Sequence, residues 1–323
     1  MPPAGSVTFR RVVVVGAGAI GSLYAGHLAR TCEVCVVTRR EEHAERLRRE
    51  GLRVSGKADF VAPLDATADA ASLGPFDLAI VATKANDVAG AVARLAGSSP
   101  GAVVMTSQNG LGADQVVASV GPWLVVSAVT FMSGIRHDDR HVEYELDAPT
   151  WLGPGSARPA AESTAREVGA LLVSAGLKAT AFDDVRPALW SKLIFNATVN
   201  SVSALTLLPH DRHFRLEDDL ADLGGLVRGL VEEGKAVAAR AGIELLEDPW
   251  EMNLEAVRRG ETAGGAYRHL PSMLEDVLAG RPTEVDHITG ALVREGVRLG
   301  VGTPLHLALY RLVRAREAAY GGD

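Results

Sequence analysis

Short unbroken runs of β-branched and aliphatic residues recur through the first half of the chain, at 12–15, 34–38, 77–83, 103–107 and 124–130. Runs of this length, separated by helix-length segments, predict parallel strands covered on both faces, a doubly wound α/β sheet. Residues 141–146 (HVEYEL) instead alternate polar and apolar, which predicts an antiparallel strand with one wet face. After Phe182 the strand signals stop. Helical patterns follow at roughly 187–206, 218–241, 249–258, 272–278, 290–299 and 305–320. The boundary falls near Asp183 and Asp184, with Pro187 suited to the first turn of the next helix. The expected organisation is an α/β domain over 1–183 and an all-helical domain over 184–323.

Composition narrows the partners. A net charge of −7 attracts neither nucleic acid nor an anionic membrane surface, which leaves a small-molecule ligand. The chain carries no apolar run of about 18 residues and no apolar signal segment before the first strand, so the expectation is a cytoplasmic protein that crosses no membrane. The only cysteines, Cys32 and Cys35, have C-x-x-C spacing. Cys35 lies in an expected strand, where residues three apart point to opposite faces, so they read as two reduced thiols rather than a redox pair or metal site.

The first candidate for chemistry is Gly16-Ala17-Gly18-Ala19-Ile20-Gly21, a G-x-G-x-x-G directly after the first strand and opening a helix. In that context the glycines serve a tight turn, close approach of a pyrophosphate and helix–strand packing, while the helix start offers N–H donors to phosphate. The second strand ends in Arg39 and Arg40, where an NAD-binding domain would place an acidic residue on the ribose. Guanidinium groups there suit a 2′-phosphate and indicate NADP(H), unless they are surface charges paired with Glu41 and Glu42. Lys84 and Asn109 follow the next two strands, where such sheets bind ligands. Each is equally readable as a surface lysine or a plain Asn-Gly turn.

Lys192, Asn196 and Asn200 recur at i, i+4 and i+8, forming a polar stripe about 12 Å long on an expected helix. Leu189, Leu193, Ile194, Phe195, Val199 and Val202 surround it, so the helix is expected to be buried and the stripe to line a cleft. Asparagine has no propensity reason to be there; the rival reading is a set of buried interhelical hydrogen bonds. Ser272 and Glu284, by pattern alone, belong to a short helix and an ordinary loop with capping residues.

Taken together, these motifs resemble the ketopantoate reductase family over nearly the whole chain. The resemblance implies a Rossmann domain joined to a helical domain like that of 6-phosphogluconate dehydrogenase. It also implies NADPH-dependent reduction of 2-dehydropantoate to (R)-pantoate, a step of pantothenate biosynthesis. Under it, Gly16, Ala17, Gly18, Ala19, Ile20, Gly21, Arg39, Lys84, Asn109 and Glu284 contact cofactor. Lys192 is the proton donor, with Glu284 beside it, and Asn196, Asn200 and Ser272 bind substrate. His210 stands where the family carries a further substrate-contacting asparagine, which leaves open another small 2-keto acid as substrate. A catalytically silent NADP(H)-binding sensor is the remaining alternative, and a homodimer is the assembly to test.

Overall fold

The computed structural model describes residues 9–214, 221–262 and 270–321. The chain start before Phe9 and residues 218–220 of the second expected helix lie outside the described residues. The chain forms two compact units: one holds the chain to Gln108 together with Gly112–Val185, the other Asn109–Leu111 together with the chain from Arg186 onward.

The first unit runs β1 (Arg11–Val15), α1 (Ala19–Leu28), β2 (Glu33–Val37), α2 (Glu41–Glu50), β3 (Leu52–Gly56), β4 (Phe60–Ala62), β5 (Asp65–Thr67), β6 (Leu78–Val81), α3 (Val88–Ala93), β7 (Val103–Thr106), α4 (Ala113–Val120), β8 (Leu124–Thr130), β9 (Ser133–Asp138), β10 (His141–Leu146), β11 (Thr150–Pro154), α5 (Glu162–Ser174) and β12 (Ala179–Ala181). The main sheet has the order β12-β11-β8-β7-β6-β1-β2-β5, and every neighbouring pair is parallel except β8 with β11. Its interior strands contain the five expected apolar runs, while both edges are strands of only three residues.

Double coverage explains those runs. Val12 and Val14 pack in one core with Leu23, Tyr24 and Leu28 of α1, whereas Val13 and Val15 pack in another with Val88, Val92 and Trp123. A strand buried on both sides has no position for a polar residue, hence four consecutive valines. Strand β10 differs: it belongs to a separate sheet of order β4-β3-β10-β9, antiparallel to β9 as expected but parallel to β3. Its Val142 and Tyr144 are buried and the alternate residues are partly exposed. Cys35 is buried, and burial pushes its thiol up to about 11; both cysteines are free thiols.

The second unit is helical: α6 (Arg186–Thr206), α7 (Ala221–Arg240), α8 (Pro249–Thr262), α9 (Ser272–Leu278), α10 (Thr289–Leu299) and α11 (Pro304–Ala318). Helix α6 packs against each of the other five. Trp190, Leu193, Ile194 and Ala197 join one core with Val237, Met273, Ile288 and Val313, and Val199 and Val202 join another with Val227, Leu230 and Leu309. A helix surrounded in this way must be apolar nearly all round. No helix among the described residues is long and apolar enough to cross a membrane.

Candidate active site

The glycine loop leaves β1 and enters α1, whose N-cap is Gly18. Gly16 sits at φ 103°, and a Cβ there would lie 2.9 Å from Thr83 Cγ2 and 3.0 Å from Thr83 N. At Gly21 a Cβ would meet the Gly16 carbonyl oxygen at 1.9 Å, so only glycine lets α1 pack this closely on its own loop. At Gly18 a Cβ would meet nothing within 4 Å. The outer two glycines therefore serve packing, and the middle one borders open space at a helix N-terminus, the arrangement a pyrophosphate requires. The residues present fit a dinucleotide.

Beyond the loop, Arg39 is mostly exposed and its guanidinium pairs with Asp87, while Arg40 pairs with Asp139 at 2.6 Å. Neither arginine uses Glu41 or Glu42 as its partner; Glu41 binds Arg48 instead. Lys84 is exposed, immediately before the 3₁₀ turn Ala85–Asp87. Gln108 is buried, and its Nε2 donates to the Val81 and Thr83 carbonyls at 2.8 and 3.0 Å, tying the end of β7 to the backbone leading into Lys84.

In the helical unit, Lys192, Asn196 and Asn200 are all buried on α6, at 7, 7 and 2% exposure. Three hydroxyl groups of the same helix are satisfied within it, Ser191 donating to the Pro187 carbonyl, Thr198 to that of Ile194 and Thr206 to that of Val202, while Ser201 pairs with Thr289 at 2.7 Å. Asn196 Nδ2 donates to Asn109 Oδ1 at 3.1 Å. Asn109 belongs to the three-residue segment that ends at Leu111, and the segment is closely seated. Gly110 has φ 95°, a Cβ there would lie 2.0 Å from the His287 carbonyl oxygen, and Leu111 N donates to that oxygen.

Ser272 is exposed as the first residue of α9, and α9 packs on α6. Glu284 is partly buried in the turns before α10. The backbone around it is held from α11: Glu317 Oε1 accepts from Thr283 N and Oγ1 at 2.7 and 2.6 Å, and Tyr310 donates to Asp286 Oδ1 at 2.7 Å. Thr283 and Asp286 thus anchor this segment to a neighbouring helix; Thr283 Oγ1 also accepts from Val285 N at 3.2 Å.

His210 is buried, with its ring edge-on to Phe195 and tilted on Phe214. Its Nε2 lies 2.9 Å from Asn253 Oδ1, and Asn253 Nδ2 donates to the Pro249 carbonyl at 2.7 Å, so Oδ1 accepts and the histidine proton sits on Nε2. Three residues on, His213 is fully buried, and burial pushes its pKa down to about 4, with Asp211 opposing. His27, His43 and His287 shift the same way, also through burial. Because the folded value lies below the unfolded one, the unfolded chain binds more protons between about pH 6.5 and 4. Stability is fully present above that window and is lost as pH falls through it, by about 3 kcal/mol for His213 alone. Urea denaturation across this range should show the loss, and His213→Gln should flatten the slope; an unchanged slope in the variant contradicts the assignment.

The sequence alone does not single out Asp87, Asn253, His287 or Glu317, and it offers Gln108 only as part of the Gln108-Asn109-Gly110 turn. Those four act through contacts distant along the chain.

Comparison with known proteins follows the same division. A family model described as ketopantoate reductase PanE/ApbA matches residues 12–157, and one described as ketopantoate reductase PanE/ApbA C terminal matches residues 184–317. The 2-dehydropantoate 2-reductase of Archaeoglobus fulgidus is 29% identical over 309 residues, 96% of this chain and 98% of its own. That of Pyrobaculum aerophilum is 30% identical over 312 residues, 94% of this chain and 97% of its own. Among solved structures, a PanE/ApbA family ketopantoate reductase from Ralstonia eutropha JMP134 superposes with a TM-score of 0.83 at 29% identity, covering 97% of this chain and 100% of that one.

Proposed function

The chain belongs to the ketopantoate reductase PanE/ApbA family, and on that footing we propose that it is an NADPH-dependent oxidoreductase that reduces 2-dehydropantoate to (R)-pantoate. The observation that carries the proposal is the row Lys192, Asn196 and Asn200, a lysine and two carboxamides buried on one face of an otherwise apolar helix.

On this reading Gly16–Gly21 hold the pyrophosphate and Arg39 and Lys84 the adenosine end, and the family resemblance adds Asn109 and Glu284 as cofactor contacts. NADPH, when bound there, would supply the hydride for reduction of the keto group. Lys192 delivers a proton from Nζ to the oxygen on which negative charge develops, supplying charge and proton at one point. Burial disfavours an ammonium group, and Glu284 offsets that cost and aims it. Asn196 presents its Oδ1 edge, since its Nδ2 is engaged with Asn109. Asn200 and Ser272 bind the substrate's carboxylate and hydroxyl oxygens. His210 shapes the substrate side from a ring whose orientation Asn253, Phe195 and Phe214 set.

The direct test is NADPH consumption with 2-dehydropantoate, pyruvate, 2-ketoisovalerate and oxaloacetate in parallel. The expected result is the highest kcat/KM for 2-dehydropantoate. A clear preference for another acid replaces the substrate, and no consumption with any of them leaves a nucleotide-binding sensor.

A further inference from the structure

The adenosine end of the cofactor site carries an unanticipated carboxylate. Arg39 leaves β2 from a backbone fixed on both sides: Thr38 N donates to the Thr67 carbonyl at 2.9 Å, Thr38 Oγ1 to that of Arg40 at 2.9 Å, and Arg94 Nη1 to that of Thr38 at 3.3 Å. The Arg39 side chain is 75% exposed, and its one polar partner among the described residues is the Asp87 carboxylate, itself 44% exposed with no other side-chain partner among them. Asp87 closes the turn that begins at Lys84, its N–H donating to the Lys84 carbonyl at 2.9 Å. Asp87 therefore pairs with Arg39 through its side chain and closes the turn that begins at Lys84 through its backbone.

In dinucleotide-binding domains an acid at the end of the second strand accepts hydrogen bonds from the ribose hydroxyls of NAD, and a guanidinium in its place receives the 2′-phosphate of NADP. Here the guanidinium occupies the strand end and the acid arrives from the turn after β6, so both groups are present and neutralise one another. We propose that Asp87 is a specificity-determining residue that limits discrimination between NADPH and NADH: it holds Arg39, repels a 2′-phosphate and offers the ribose diol of NADH an acceptor. The inference deepens the cofactor assignment above and rests on it. A carboxylate a few ångströms from a phosphate dianion in a solvated, salt-screened site changes affinity by about tenfold.

Titration calorimetry with 2′,5′-ADP and 5′-AMP reads this without turnover, on the intact chain and on Asp87→Asn and Arg39→Ala. Asp87→Asn is expected to tighten 2′,5′-ADP about tenfold, to leave 5′-AMP unchanged or weaker, and to raise the ratio of kcat/KM for NADPH over NADH by a similar factor. If Arg39→Ala weakens 2′,5′-ADP while Asp87→Asn leaves it within about twofold of the parent, Asp87 has no such role and the NADPH assignment stands. If Arg39→Ala leaves 2′,5′-ADP unchanged, the assignment of Arg39 to the 2′-phosphate fails, and the role of Asp87 with it.

Discussion

Lys192→Ala is expected to lower kcat by about 10²–10⁴-fold, the range a single positioned general acid supplies. The dissociation constant of NADPH should stay within about twofold, because the glycine loop belongs to the other compact unit. Lys192 lies within the helical core, so removal of its stem leaves a cavity, and a fall in stability would accompany the change. Lys192→Met separates the two effects: it fills the same volume, restores stability and supplies no proton, so its kcat should match that of the alanine variant. A methionine variant with parental turnover would remove Lys192 from the mechanism. An alanine variant whose loss appears only in KM would reduce it to a binding residue.

The glycine loop yields the second large effect, through a contrast between neighbours. In Gly21→Ala the new methyl would fall 1.9 Å from the Gly16 carbonyl oxygen, a backbone atom that cannot step aside. Relief requires α1 to move off its loop, costing about 1–3 kcal/mol or more. Tm should fall by about 5 °C, and NADPH should bind at least about tenfold more weakly. Gly18→Ala places its methyl in open space, so Tm should hold while NADPH affinity falls comparably, because the methyl occupies the volume assigned to the pyrophosphate. Parental NADPH binding by Gly18→Ala would mean that the open space beside Gly18 is not where the dinucleotide lies.

Where the pattern was legible, it was so because burial left the chain no choice. The valines of β1 are divided between two cores, and such a strand can only read as an unbroken apolar run. The row on α6 was legible for the opposite reason, since asparagines in an otherwise apolar helix satisfy neither propensity nor packing. Strands β3, β4, β5, β9, β11 and β12 are not among the expected ones, and four of them had little to display. Most of β9 faces solvent, and β4, β5 and β12 are three residues long, so neighbours rather than their own residues define them. Strand β10 showed its one-sided burial, but the parallel pairing with β3 joins segments far apart in the chain. The same holds in the site: Arg39 and Asp87 are separated by 48 positions, and no local motif links a strand-end arginine to an acid in a later turn. Asn109–Leu111 likewise reads as a turn after β7, and its membership of the helical unit depends on Asn196 and His287.

The main sheet passes from buried, doubly covered strands at its middle to three-residue strands at both margins. Amide protons of β1, β6 and β7 should therefore be the last to exchange with deuterated solvent, requiring global opening, while those of β5 and β12 are released by local fraying. The blunt margins also give a second chain little ladder to zip onto, so the sheet is shielded from growing edge to edge at the high concentrations at which enzymes are stored and purified.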